Sequence, residues 1–222
     1  MSYLHNLSII LLYLLFIPTT APLIAQDLLM TNSKPIDKNK YRDVKGTPYL
    51  FEDWVNGKII SNDADVIDDI LLNYNGESSE FEIKHNNRFI ELNPNWYLRV
   101  IVTQENNEEI IFQRSFVAPL KNKFVRLVYK GKNLSLVEQF TAEIITKVFN
   151  NVGKNEELKS FYPKRQYFLV QRREATPIRL KKKNVLSVLG KKAELEAFLK
   201  KEKIKLDTEE QLIRVLKFYE NQ

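Results

Sequence analysis

Apolar residues fall at every second position through most of this chain, the spacing of strands that bury one face. The first such runs are residues 48–55 and 58–60, separated by Asn56-Gly57. Both central residues of a two-residue turn need positive φ, so this pair predicts a tight hairpin. The alternation continues with Ile70 and Leu72 before Asn75-Gly76, and with Phe81 and Ile83 before Asn86-Asn87. Next come either Phe89 with Glu91 or Ile90 with Leu92, then Leu98, Val100 and Val102. After a polar turn at 104–107, runs at 110–117 and 124–129 follow, and Lys130-Gly131-Lys132-Asn133 predicts a hairpin into 134–140. Residues 141–149 suit strand or helix, and 150–163, polar with a Gly and a Pro, reads as a long loop. A last strand pair, 167–170 and 178–180, is predicted around a turn at 174–177.

The period then changes to that of helices. Val185, Leu186 and Leu189, stopped by Gly190, suit a short helix, and Leu195, Phe198 and Leu199 lie at i, i+3 and i+4 on a second. Leu212, Leu216 and Tyr219 share a face of a third, with Thr208 three residues before Gln211 as a capping box. The fold class is therefore α+β: a mainly antiparallel β meander, barrel-like or sandwiched, followed by about three C-terminal helices. The expected organisation is a signal peptide at 1–25, a flexible leader at 26–45, an antiparallel β domain at 46–181, and a basic helical element at 182–222 packed on it.

The N-terminus bears on compartment. An apolar run from Leu7 to Ile17 precedes Pro18, and Ile24-Ala25-Gln26 offers a small residue for cleavage after Ala25. That order is the order of a secretory signal, which predicts a periplasmic or extracellular protein. No later stretch reaches the roughly 20 apolar residues of a transmembrane helix. The chain has no cysteine, so an exported fold here must rest on its core rather than on disulfides.

Charge is uneven. The net +6 of the 222 residues comes from 18 basic and 10 acidic residues between Lys154 and Gln222, against 16 and 18 before them. The candidate binding residues are Arg172, Arg173, Arg179, Lys181, Lys182, Lys183, Lys191 and Lys192, within a wider cluster that includes Lys164 and Arg165. Clustered cations raise the local anion concentration, and they point to an anionic envelope component or an acidic protein partner. Nucleic acid is not expected, because no recognition motif accompanies the charge. The simpler alternative is that these are solvated faces, with Glu194, Glu196 and Glu202 as helix-surface partners.

The remaining chemistry is sparse. Asp63, Asp65, Asp68 and Asp69 fail the calcium-loop pattern, since Asp68 and Tyr74 stand where Gly and Glu are required. His85 sits beside Asn86 and Asn87 as a turn residue. No nucleophile elbow, phosphate loop, dinucleotide motif or zinc helix occurs, so the expectation is no catalytic residue, no metal and no cofactor. Trp54 and Trp96 are aromatic candidates for a surface groove, weighed against packing with Tyr49 and Phe51.

The ending Ile-Ala-Gln of the signal, the opening Gly46-Thr-Pro-Tyr-Leu-Phe with Gly57-Lys58, the Leu71-Leu-Asn-Tyr74 strand and the basic ending resemble uncharacterised exported proteins of Bacteroidota. The resemblance implies compartment and architecture and carries no catalytic residue. The leading reading is a non-enzymatic envelope protein with an interaction or structural role through its basic C-terminal face. The alternatives are a carboxylate-dependent glycan hydrolase and a β-barrel-like carrier of a small apolar ligand.

Overall fold

A computed structural model describes residues 33–37, 39–85, 88–151, 154–190 and 192–222. The segment read as a signal peptide lies outside them. The described chain forms one 12-stranded, mostly antiparallel sheet followed by three helices, an α+β fold. The strands are β1 (Lys34–Pro35), β2 (Val44–Lys45), β3 (Val55–Ser61), β4 (Val66–Asn75), β5 (Glu80–His85) and β6 (Arg88–Glu91). After them come β7 (Tyr97–Thr103), β8 (Glu109–Arg114), β9 (Phe124–Lys130), β10 (Leu134–Asn151), β11 (Lys154–Gln171) and β12 (Glu174–Ile178). The helices are α1 (Lys182–Leu189), α2 (Lys192–Lys201) and α3 (Glu209–Glu220).

The sheet order is β1-β6-β5-β4-β3-β7-β8-β9-β10-β11-β12, with β2 added in parallel to β11. Its two ends do not pair, so the meander is open rather than a closed barrel. One core joins β3 to β8 around Tyr74, Phe81, Phe112 and Phe124 and extends to Phe140 and Phe161. A second joins Leu134, Leu136, Leu169 and Ile178 of the sheet to the apolar faces of all three helices. The first helix stops at Gly190, whose φ of 68° only glycine adopts without strain. The third starts at Thr208, whose side chain accepts from the Gln211 N–H, while Gln211 Oε1 accepts from the Leu206 N–H at 2.6 Å.

Four expectations are corrected. Asn56-Gly57 is not a turn but lies inside β3, where a Cβ on Gly57 would stand 2.5 Å from the Ile101 carbonyl oxygen and 2.9 Å from Leu72. Glycine is there for close approach of a neighbouring strand at a bulge, with no positive φ required. Residues 154–163 are strand, not loop, because β10 and β11 pair without interruption from Asn151↔Lys154 to Leu134↔Gln171. The last hairpin turns at Arg172-Arg173, with φ of 49° and 66°, and 174–177 is strand. Pro177 is tolerated because β12 is the sheet's edge. Finally, the leader is tied down where it is described: Lys34 pairs Glu91, Val44 pairs Lys159, and the Tyr41 ring meets Phe161 edge-on at 5.1 Å.

Ile90 and Leu92, rather than Phe89, face the core. Leu98 is exposed, displaced from the buried face of β7 by the register shift at Ile60/Ser61.

Candidate functional site

The site grows from one line of residues across five strands. Phe112 pairs Arg126, Arg126 pairs Glu138, Glu138 pairs Tyr167 and Tyr167 pairs Ile178, so all five share one face of the sheet. Glu138 falls within the buried stripe Leu134, Leu136, Phe140, Ala142, where a bare carboxylate would be costly. It is satisfied from both sides. Arg126 Nε donates to it at 2.6 Å, and the Arg165 guanidinium lies 3.2 Å away. The rest of the Arg126 guanidinium forks onto Glu209, the first residue of α3, and the Tyr167 hydroxyl donates to the same carboxylate at 2.9 Å. Burial works to lower the Arg126 pKa, but its bonds to Glu209 and Glu138 outweigh that and raise it. Burial, then the Glu209 bond, pushes Tyr167 up to about 12.

This network fixes one wall of a cleft. Past Ile178 the chain leaves β11 and turns into α1, held by Asn184 Oδ1, which accepts from the Arg179 N–H at 2.6 Å. The fork between β11 and the departing strand is a cleft of about 450 Å³ lined by Lys164, Arg165, Gln166, Tyr167, Ile178, Arg179, Leu180 and Lys181. Of its four cations, Arg165 is engaged by Glu138. Lys164, Arg179 and Lys181 form no ion pair among the described residues. The cleft thus presents uncompensated positive charge over a partly apolar floor.

The structure divides the sequence candidates. Arg179 and Lys181 enter this cleft. Lys182 and Lys183 line a neighbouring hollow of about 670 Å³ with Leu186, Ser187 and Glu196. Arg172 and Arg173 are exposed at the hairpin turn, four pairs along β11–β12 from Tyr167. Lys191 lies outside the described residues, and Lys192 opens α2. Trp54 is half-buried against Tyr49 and Phe89, with ring centroids 6.1 and 5.2 Å apart, so it packs. Trp96 is 43% exposed in the turn before β7. No ring contact links the two tryptophans among the described residues. His85 ends β5 opposite Arg88, and Asn86-Asn87 lie outside the described residues.

Sequence reasoning missed a second polar cluster. Glu82, 2% exposed, accepts from Tyr49 Oη at 2.7 Å and Asn75 Nδ2 at 2.7 Å, and pairs Glu91 across the strands. Together with the Tyr41 and Tyr49 hydroxyls it pins the segment before β3 onto the sheet. Burial raises the Glu82 pKa despite these donors. Burial first, then Glu91, pushes neighbouring Glu80 up to about 8. Its Oε2 is buried without a hydrogen-bond partner. The unfolded carboxyl ionises near 4.5 and the folded one near 8, so folding holds a proton between these values and stability falls as pH rises through that window. Glu80→Gln, which copies the neutral acid, is expected to flatten that fall and add roughly 1–3 kcal/mol at pH 8.5, discounted for its partial exposure. Urea unfolding at pH 5 and 8.5 checks this; equal pH dependence in both proteins would contradict it.

Among the described residues no group of three or more His, Cys, Asp or Glu is arranged to hold a metal ion, and no helix is long and apolar enough to cross a membrane. The chain matches no protein-family model, and no curated protein or solved structure is significantly similar to it.

Proposed function

We propose that this is an exported, non-enzymatic interaction protein of the cell envelope that binds an anionic surface through the basic cleft between β11 and the segment that leads from β12 into α1. The observation that carries the reading is the convergence around one opening of Lys164, Arg179 and Lys181, which form no ion pair among the described residues. The adjacent Lys182 and Lys183 widen the positive field. Solvated cations scattered singly would not raise local potential in this way, whereas cations converging on a cleft focus it. The secretory order of residues 1–25 supports the compartment. The carrier reading loses its support with the open sheet, because an apolar ligand needs an enclosed interior. Among the described residues the hydrolase reading finds carboxylates brought together in the Glu80, Glu82 and Glu91 cluster and in the Glu138 and Glu209 pair on Arg126. In the first, Glu82 is closed under the Tyr49 hydroxyl, and in the second both carboxylates are bound by Arg126.

Each cation near an anionic surface contributes about 1 kcal/mol, so the triple variant Lys164→Gln, Arg179→Gln, Lys181→Gln should weaken binding to anionic lipid vesicles roughly a hundredfold. Co-sedimentation across a salt series measures it. Retention that ignores salt, or that the triple variant leaves unchanged, would overturn the reading.

A further inference from the structure

We infer that the outer edge of β10 is a self-association surface on which a second copy of this chain adds its own β10 antiparallel. The motivation is an unpaired edge. β9 pairs β10 only from Ser135 to Glu138, and beyond that the Ala142 N–H donates to the Gly76 carbonyl at 3.0 Å. Main-chain groups alternate sides along a strand, so Ile144, Thr146 and Val148 point theirs the same way as Ala142, away from β11. Nothing pairs with them among the described residues. β2 flanks the far side of β11 at Lys159 and Ser160, opposite Thr146 and Ile145, and from Lys147 to Asn151 the β10–β11 ribbon runs on as two strands alone, a form that is marginal in water without a third strand or a covering layer.

Its side chains also call for cover. Ile144 and Ile145 are 40% and 39% exposed, and Val148 and Phe149 are 61% and 49% exposed. A long edge carrying such residues is a template for another strand unless charge blocks it. The charges on this edge are Glu143 and Lys147, four residues apart on the same face as Ile145. Set antiparallel with Ile145 opposite Ile145 of the second copy, Glu143 of each chain faces Lys147 of the other, twice. These are the non-hydrogen-bonded pairs, with Cα atoms about 4.5 Å apart. Ile144 and Thr146 then exchange the main-chain bonds. A shift that centres Thr146 loses both ion pairs, and one that centres Lys147 sets like charges face to face. Charge therefore selects one register, and it is self-complementary.

Sedimentation equilibrium of the purified protein tests this apart from anion binding. Dimer is expected at concentrations well below about 100 μM. Lys147→Glu should raise the dissociation constant at least tenfold, since each Glu143 then meets a glutamate. The charge swap E143K/K147E should bring it back to within about threefold. Thr146→Pro removes an outward N–H without touching the β10–β11 ladder, and should also abolish the dimer while the melting curve stays cooperative. A monomer at every concentration, an unmoved K147E, or a swap that fails to restore association would each overturn the proposal.

Discussion

Arg126→Ala is expected to cost about 3–5 kcal/mol and to loosen the helical element from the sheet. Arg126 is the cation shared by Glu138 and Glu209, two carboxylates on β10 and α3. The Glu138 side chain is 3% exposed. With Arg126 gone it keeps, among the described residues, only Arg165, whose side chain is 53% exposed and whose contacts are 3.2 and 3.3 Å long. Glu209 keeps, among the described residues, only the Tyr167 hydroxyl. Leaving buried charge uncompensated is what makes the loss large. Removing the whole set is a different experiment, because apolar side chains of similar volume often replace a buried ion pair at little cost. The contrast is therefore Arg126→Ala alone against Arg126→Met with Glu138→Leu and Glu209→Gln. Urea unfolding should show the single change as clearly the worse. Arg165→Ala, on the exposed side, should cost no more than about 1 kcal/mol. A single change that costs under 1 kcal/mol would mean that the network does not carry the docking of α3.

The second clamp on α3 makes the same point from its other end. Glu220 accepts from Tyr129 Oη at 2.7 Å and from the Asn133 N–H at 2.8 Å, and a Cβ at Gly131 would overlap its carboxylate. Burial would raise the Glu220 pKa, but these donors win and hold it below the usual carboxylate value. The helix whose apolar face closes the second core is thus fixed by a carboxylate at each end.

These placements show which parts of the fold were legible. The helices were, because their period, the Gly190 stop and the Thr208 cap are local signals that tertiary contacts reinforce. The long ribbon was not: its residues along 154–163 are mostly polar, with Phe161 alone buried among those whose burial is described, and what makes them strand is the partner β10, not their own pattern. Asn56-Gly57 misled because glycine serves both positive φ and close approach, and only the neighbouring Ile101 carbonyl tells which. Arg172-Arg173 was hidden because two arginines at positive φ carry no turn signature and cost roughly 1–2 kcal/mol each. The cleft was half legible. Charge clustering pointed to Arg179 and Lys181, while the fork that brings Lys164 beside them depends on where β12 parts from β11. A sharper signal was present in Glu138, a lone charge at an inward position of an otherwise apolar alternation.

Tyr74→Ala should cost a further 3–5 kcal/mol or so, by a mechanism with no charge in it. Tyr74 is fully buried and its ring is the meeting point of the first core. It lies 5.0 Å from Phe81, 6.1 Å from Phe112 and 6.3 Å from Phe140, centroid to centroid. Phe140 roots the β10–β11 ribbon, so this ring couples the ribbon to β4, β5 and β8. The hydroxyl adds little: it donates to the Phe124 carbonyl at 3.3 Å, and Tyr74→Phe should cost only about 0.5–1.5 kcal/mol. The ratio of the two losses separates ring packing from hydrogen bonding. If Tyr74→Phe proved as damaging as Tyr74→Ala, the hydroxyl rather than the aromatic cluster would be holding the ribbon to the body.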